Sequence, residues 1–446
     1  MDGYYAWMLV ATALVLMMTT PALALFYGGM TRSKSVLNMM MMSYVAMGVI
    51  GIVFVLWGWS MGWGGDGIGN SNGKLIANPF HMFALDKVST GSYIYVLFQL
   101  TFAAITAALI SGSIADRVKM SSWVVFIVGW VTFAYFPIAH NVWAGGWLYT
   151  HFPNLDYAGG TVVHINAGVA GLVLALIIGK RVGFMKEPMK PHNLTLTMIG
   201  AGLLWFGWYG FNVGSIVFTS DNAADPAKFS TQFYSETGVT FMNTTLATMA
   251  AMLAWLVVER IVHGKATSLG AASGVVAGLV AITPSCGAVS ILGALIIGVL
   301  AGGVCSVAVG AKYKLRMDDS LDVVGVHLVG GIIGALMIGL IGTNTSPQGI
   351  DGLFGDMNGL FYGGDLTLLG HQAAGVLFTI VVSGTVAAVF GLLIKYTIGW
   401  RVTEEEEIDG IDFAEHGESA YDLATSSGGV SSSILTSSLA KEGAHA

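Results

Sequence analysis

The sequence predicts an all-α integral membrane protein of eleven transmembrane helices, built as inverted five-helix repeats (helices 1–5 and 6–10) plus an eleventh helix. Composition, long apolar runs and the placement of basic residues favour this fold. The chain has 446 residues, of which 54% are hydrophobic and 10% charged, and its mean hydropathy is +0.72. A soluble protein of this length needs far more charge to cover its surface.

Eleven segments are long enough to cross a bilayer, which takes about 20 apolar residues. They lie near residues 5–28, 37–62, 93–114, 121–143, 159–179, 194–217, 237–262, 267–283, 288–311, 320–342 and 369–399. The eighth and ninth come from one stretch, 269–311, without Asp, Glu, Lys or Arg. As a single helix it would be about twice as long as the bilayer is thick, so we predict a break at Pro284.

The basic residues of the connections lie almost entirely on one side of these spans. The basic side carries Arg32, Lys34, Arg117, Lys119, Lys180, Arg181, Lys186, Lys190, Arg260, Lys265, Lys312, Lys314, Arg316, Lys395 and Arg401. The other side carries Lys74, Lys87 and Lys228. Since basic connections stay in the cytoplasm, we expect a multi-pass protein of the cell membrane with an extracellular N-terminus and a cytoplasmic C-terminus.

The side opposite the basic one is rich in acids. These are Asp2, Asp66, Asp86, Asp156, Asp221, Asp225, Glu236, Asp351, Asp356 and Asp365. An acidic mouth would concentrate cations. Translocated loops can also be acidic without such a role, because topology depends on Lys and Arg. Both interpretations stay open.

Two histidines stand in uncharged apolar segments of matching pattern. His164 lies in Val162–Gly168 and His327 in Gly325–Gly331. A titratable group inside a membrane is costly and usually faces a pathway for ions or protons. The two belong to the fifth and tenth spans, so inverted repeats would bring them together at the midplane. A satisfied core histidine is the alternative for each.

The glycines are often spaced for close helix contact. Gly270, Gly274 and Gly278 form one such ridge, and the pairs Gly298 with Gly302 and Gly330 with Gly334 form two more. Small residues at this spacing let helix backbones approach in a membrane. We expect tight packing there.

The residues favour a small cargo and no enzymatic activity. No nucleophile with a base, no metal-ligand spacing and no basic stripe is present, so we expect no catalysis, no cofactor or metal and no nucleic-acid partner. Polar groups within the spans are few, whereas aromatic rings are plentiful. An aromatic face attracts a cation by about 0.5 to 2 kcal/mol, although each ring taken alone is better explained by packing or by an interfacial belt.

Seven motifs resemble the ammonium transporter (Amt/Mep/Rh) family, in its microbial Amt branch. In order along the chain they are Phe26–Gly29, Phe98–Ala103, Pro137–Trp143, Asp156–Gly168, Gly207–Ser215, Thr283–Gly287 and Asp322–His327. The resemblance runs from about residue 5 to 421 and includes the plan of eleven spans. It implies ammonium transport.

The resemblance also implies a role for each site residue. Trp143, Ser215 and Phe102 would recruit ammonium at the outer side, with a cation–π contact from Trp143 and an acceptor hydroxyl from Ser215. Phe102 and Phe211 would stack as a gate. Asp156 would support the site structurally, because a carboxylate before a helix start accepts free N–H groups.

His164 and His327 would be hydrogen-bonded to each other and line a narrow pore. Like charges on neighbouring buried imidazoles are disfavoured, so the pair should carry at most one proton. Ammonium would release a proton, cross as ammonia and be protonated again, which potassium cannot do. We expect proton relay through the pair; an ammonia gas channel without net charge movement is the alternative.

The chain divides into a predicted transporter domain, residues 1–400, and a cytoplasmic tail, 401–446. Residues 401–421 resemble the regulated tail of microbial relatives, which implies a PII-type nitrogen-regulatory partner; a solvated acidic tail is the alternative. Residues 422–446 are rich in Ser and Gly, and we predict disorder. The resemblance further implies a homotrimer in the lipid membrane. An ammonium sensor signalling through the tail is the other functional class.

Overall fold

The fold is an all-helical bundle, known from a computed structural model that describes residues 2–64, 73–218, 220–343 and 357–421. No β-strand occurs in those ranges. The predicted disorder of residues 422–446 lies outside them. The long helices are α1 (Asp2–Met30), α2 (Val36–Trp63), α3 (Thr90–Ile114), α4 (Met120–His151), α5 (Gly160–Ile178), α6 (Leu194–Val213), α7 (Pro226–His263), α8 (Ser268–Ile282), α9 (Ile291–Ala308), α10 (Val324–Ile341) and α11 (Leu366–Tyr396).

The prediction of an all-α membrane protein with eleven spans is confirmed. Within the described ranges, ten helices are long and apolar enough to cross a membrane, and α8 is a shorter apolar helix of 15 residues. The chain turns at 283–290 between α8 and α9, as Pro284 predicts.

Helix α7 extends well beyond the predicted seventh span, 237–262, at its N-terminal end. Helix α7 begins at Pro226, and the Asp225 carboxylate accepts the N–H groups of Ala227 (2.9 Å) and Lys228 (3.4 Å). Residues 226–236 are mostly polar and exposed, so a hydropathy pattern does not register them. The cap and the proline, a favoured residue in the first turn, extend the helix beyond its apolar part.

The two repeats pack in equivalent ways. In the first repeat, α1, α2 and α5 each pack on α3. In the second repeat, the equivalent helices α6, α7 and α10 each pack on α8. The repeats meet where α1 packs on α6 and α5 on α10, and α11 covers α5 and α10 from outside. Because each repeat has five spans, equivalent helices cross in opposite directions.

The predicted glycine ridges lie at close helix contacts. A Cβ atom at Gly298 would lie 2.3 Å from the Ala247 carbonyl oxygen, and one at Gly302 would lie 2.1 Å from that of Ala251. On α10, a Cβ at Gly334 would lie 2.0 Å from the Ala281 oxygen. These positions exclude any side chain. Gly330 is less crowded, since its Cβ would meet Val280 Cγ1 at 3.1 Å.

A buried ion network joins three loops at one end of the bundle, which we call the basic face (residues 31–35, 115–119, 179–193, 309–323 and 397–421). Arg181 donates to Asp116 (2.8 Å) and Asp318 (2.9 Å). Burial would raise the pKa of Asp318, but the hydrogen bonds and charge of Arg181 hold it below its ordinary value. Arg117 donates to the Ser320 hydroxyl (2.6 Å). The Arg117 side chain is buried, and this burial lowers the pKa of Arg117 to about 10.

The tail folds back onto the basic face through two short helices, α12 (Glu404–Asp409) and α13 (Ile411–His416). Asp412 accepts the N–H groups of Leu37 (3.0 Å) and Asn38 (2.7 Å) at the start of α2. Glu415 accepts that of Met120 (2.9 Å) at the start of α4. Acidic side chains of the tail therefore cap membrane helices, where the helix dipole favours negative charge.

The Arg181 network gives a stability prediction. Asp318→Asn should lower the free energy of unfolding by about 3 kcal/mol, because breaking a buried ion pair leaves the other charge without full compensation. Thermal unfolding in detergent at neutral pH measures the effect. Since the pKa of Asp318 is lowered in the folded state, the difference should shrink as the pH falls through that pKa.

The matched control is Asp409→Asn, which removes an exposed carboxylate from α12. It should change stability by less than about 0.5 kcal/mol. Equal melting temperatures for the two variants would contradict a stabilising role of the Arg181 network.

Candidate functional site: a passage lined by two histidines

The structure brings His164 and His327 into direct contact. Their Nδ1 atoms are 3.3 Å apart, and their ring centroids are 5.3 Å apart. Both side chains are buried. At this distance one Nδ1 donates a proton and the other accepts it, so the two rings adopt complementary protonation states.

Both histidines lie in π-helical turns, which the sequence does not reveal. His164 belongs to the turn Gly160–Ile165 at the start of α5, and His327 to the turn Val324–Leu328 at the start of α10. A π turn widens the helix locally and is common at functional sites. Because the same distortion occurs in both repeats, it follows the internal symmetry.

The histidines border a narrow apolar chamber between the repeats. The space open to the centre of a water-sized molecule is about 10 Å³, which is room for a single small molecule. Besides the two histidines, the lining residues are Met18, Leu23, Phe26, Ile105, Leu109, Leu204, Trp208, Phe211 and Val276. The Trp208 indole donates to the Thr283 hydroxyl (2.8 Å). His164 Nε2 has no hydrogen-bond partner in the described part of the chain.

Two phenylalanines close the passage beside this chamber. Phe102 and Phe211 stack with centroids 4.0 Å apart and an interplanar angle of 12°. Phe211 also lines the chamber, and its centroid is 6.1 Å from that of His164. Both phenylalanines are buried. The two rings therefore pack closely beside the chamber.

Trp143 and Ser215 lie next to the stacked rings and are partly exposed. Trp143 meets Phe102 edge to face at 6.1 Å, and its Nε1 donates to the Asp156 carbonyl oxygen (2.7 Å). The Ser215 hydroxyl donates to the Phe211 carbonyl oxygen (2.8 Å). Its single proton is thereby used, so the oxygen retains lone pairs for a donor.

Asp156 caps the start of α5. Its Oδ1 accepts the N–H groups of Gly159 (2.8 Å) and Gly160 (2.5 Å), and its Oδ2 accepts those of Thr161 (2.8 Å) and Val162 (3.0 Å) and the Thr161 hydroxyl. The carboxylate is thus fully used by the protein. It lies among backbone donors, not among the residues that line the chamber.

Asp319 is the equivalent carboxylate in the second repeat, and it is not among the site residues predicted from the sequence. It accepts the N–H groups of Val323 (3.2 Å) and Val324 (2.8 Å) and the Ser113 hydroxyl (2.8 Å). Burial and the nearby Asp322 raise the pKa of Asp319. The sequence holds a signal for it, since Asp156 and Asp319 each precede a pore histidine by the same spacing.

Two acids of the predicted acidic mouth are not exposed. Asp156 caps a helix, and Glu236 is buried, with its carboxylate accepting from the Tyr157 hydroxyl (2.6 Å) and Gln232 Nε2 (2.7 Å). Asp66, Asp351 and Asp356 and the side chain of Asp221 lie outside what the structure describes. The acidic mouth stays a prediction for the remaining acids.

Inverted membrane repeats around a narrow apolar chamber are typical of membrane transport proteins. The Ammonium Transporter Family profile matches residues 6–421. A Mycobacterium tuberculosis protein named ammonium transporter is 50% identical over 455 residues, which cover 96% of this chain and 92% of that protein. The chain therefore belongs to the ammonium transporter family and is a transporter, not an enzyme.

Solved structures agree with this assignment. Mep2 of Candida albicans matches with a TM-score of 0.80 and 31% identity, over 94% of this chain and 90% of that one. A protein described as a sensor Amt protein matches with a TM-score of 0.79 and 26% identity, over 93% of this chain and 98% of that one.

The bonds of Asp156 give a second stability prediction. Asp156→Asn should destabilise the protein by about 2 kcal/mol or more, because the amide nitrogen faces N–H donors and leaves some of them unsatisfied. Asp365→Asn is the control, since Asp365 accepts from Thr367 N (2.8 Å) at the exposed start of α11. Its expected loss is about 0.5 kcal/mol. Thermal unfolding ranks the two, and the reverse order would contradict the cap.

Proposed function

We propose that this chain recruits NH₄⁺ at an outer aromatic site, deprotonates it and conducts NH₃ through the chamber, with proton relay by His164 and His327. The observation that carries the proposal is the adjacency of a closed phenylalanine pair and an apolar chamber whose free polar groups are imidazoles. A cation that enters such a chamber loses its hydration at a large free-energy cost. For a neutral molecule, the free-energy cost of losing hydration is much smaller.

Recruitment rests on the partly exposed Trp143 and Ser215. The indole face attracts a cation, by about 0.5 to 2 kcal/mol depending on hydration, and the Ser215 oxygen is oriented as an acceptor by its bond to Phe211. Phe102 adds a ring edge-on to Trp143. Asp156 would act indirectly, without contacting the cation. Its carboxylate caps the start of α5, and its carbonyl oxygen accepts a hydrogen bond from the Trp143 indole.

Selectivity against potassium follows from proton chemistry. Potassium and ammonium have similar size and charge, so both incur a large penalty in the dry chamber. Of the two ions, only ammonium can release a proton outside the chamber and enter it as a neutral molecule. The unpartnered His164 Nε2 and the Nδ1–Nδ1 bond give a released proton a route through the pair, because two coupled imidazoles share at most one extra proton.

The relay predicts a current that depends on the imidazoles. Ammonium added to purified protein on a supported membrane should evoke a current, and potassium should not. His164→Ala should reduce that current about a hundred-fold or more, the usual scale for loss of a proton-transfer group. His263→Ala, which removes an exposed imidazole at the end of α7, is the control and should leave it unchanged.

Each outcome of that experiment has a clear meaning. A full current in His164→Ala removes the pair from the proton route. Ammonia flux without current in the unmodified protein supports the gas-channel alternative.

The recruitment site predicts a change in concentration dependence. Trp143→Leu keeps an apolar side chain but removes the ring face, so the half-saturating ammonium concentration should rise about five-fold, the equivalent of roughly 1 kcal/mol. Trp57→Leu removes a partly buried indole on α2 and is the control. Equal half-saturating ammonium concentrations for Trp143→Leu and the unmodified protein would exclude a cation–π role of Trp143.

For topology and assembly, we propose an extracellular N-terminus, a cytoplasmic tail and a homotrimer in the cell membrane. The support is the placement of the buried arginines and the tail on the same face of the bundle. The histidine pair and the chamber are formed by residues of one chain, so each subunit would carry its own pore.

We further propose that the tail, 401–421, forms part of a docking site for a PII-type nitrogen-regulatory protein on the cytoplasmic side. The support is its fixed position, since Glu407 accepts from Val182 N (2.6 Å) and Asp412 binds the start of α2. Truncation after Arg401 should abolish pull-down of a PII-type protein. Truncation after Tyr421 should preserve it, and equal binding by both would place the interface elsewhere.

A sensor is the second candidate, favoured by the similarity to a sensor Amt protein. A sensor would bind ammonium and change its tail contacts without steady transport. The current measurement separates the two functions, because ammonium binding with neither current nor ammonia flux would favour the sensor.

A further inference from the structure

We propose that Lys312 is a tethered ammonium group that occupies the inner cation site of the passage and thereby prevents ammonium from loading from the basic face. The inference rests on the proposed function. Lys312 belongs to the short helix Ala311–Lys314 that follows α9. Its side chain is 11% exposed, although a surface lysine usually extends into water.

The Lys312 ammonium contacts the groups that a free ammonium ion would need. It donates to Asp322 Oδ1 (2.5 Å) and to the Asp319 carbonyl oxygen (3.1 Å). It also lies 5.5 Å from the centroid of the Tyr313 ring. A carboxylate, a carbonyl oxygen and an aromatic ring are common partners of ammonium groups.

This cluster adjoins the start of α10, the helix that carries His327. Asp319 and Asp322 precede the π turn that carries His327, and the Asp319 carboxylate holds the first N–H groups of that turn. On the chamber side, the Tyr27 hydroxyl donates to the carbonyl oxygen of Leu109 (3.1 Å), a chamber residue.

Tyr27 and Val323, the residue before α10, both pack on Gly112, which follows the chamber residue Leu109 on α3 by three positions. A Cβ atom at Gly112 would lie 2.6 Å from Tyr27 Cζ and 2.7 Å from Val323 Cγ2. Beyond this contact, Lys312, Ser320 and other residues line an open cavity of about 480 Å³. Lys312 therefore stands between the narrow chamber and the wide opening of the basic face.

The two ends of the passage consequently differ in charge. At the recruitment end, Trp143 and Ser215 offer a ring and an acceptor to an incoming cation. At the basic face, the equivalent acceptors already hold the positive charge of Lys312. Ammonium that forms there by protonation meets an occupied site and a like charge, so it leaves and does not rebind.

The test measures ammonium currents from each face of the reconstituted full chain in a single orientation. Lys312→Met removes the charge and leaves Asp322 free, so the half-saturating ammonium concentration from the basic face should fall about ten-fold. The value from the opposite face should stay within about two-fold. Lys314→Met, an exposed lysine of the same short helix, is the control and should change neither value.

The double variant Lys312→Met with Asp322→Asn removes the carboxylate as well and should return the basic-face value to that of the unmodified protein. Crystals soaked in thallous nitrate give a second reading. Thallium should bind at Asp322 in Lys312→Met and not in the double variant.

An unchanged basic-face value together with no thallium at Asp322 in Lys312→Met overturns the proposal. Lys312→Ala, which also removes the charge and leaves Asp322 free, replaces Lys312→Met if that variant does not fold. A protein that gives no ammonium current from either face overturns the proposed function. The thallium measurement still decides the role of Lys312 in that case.

Discussion

The hydrogen bond between His164 and His327 depends on a very close approach of α5 and α10. A Cβ atom at Gly168 would lie 2.6 Å from the Leu328 backbone nitrogen, and one at Gly331 would lie 3.0 Å from the Gly160 carbonyl oxygen. The glycines after each histidine therefore remove the side chains that would separate the helices. Chamber width, the alignment of the two Nδ1 atoms and the stacking of α11 on both helices all follow from this contact.

The carboxylates explain how a passage with so few polar groups stays folded. Each histidine helix begins inside the protein, where its first N–H groups have no carbonyl partner in the helix. Asp156 and Asp319 supply acceptors for these groups. Both negative charges are thereby used on the backbone, so the chamber itself remains apolar. This arrangement keeps a charge close to each end of the pore without placing one inside it.

Much of this could be predicted from the sequence. The eleven spans follow from hydropathy, and the proximity of His164 and His327 from their matched contexts in inverted repeats. The π turns at the two histidines could not be predicted, because no residue pattern distinguishes them from ordinary helical turns. The start of α7 is set by a polar cap that hydropathy ignores. The tail contacts are also invisible, since Asp412 binds backbone N–H groups that carry no sequence identity.

The two repeats are similar at the centre of the fold and differ at its two ends. The symmetric elements, namely the two caps, the two π turns that carry the histidines and the paired histidines themselves, surround the centre of the chamber. The asymmetric elements lie at its ends. Aromatic rings and a hydroxyl stand at one end, and a lysine bound to a carboxylate stands at the other. Since symmetric equilibria at the centre cannot favour a direction, any difference in loading between the faces must arise at these ends.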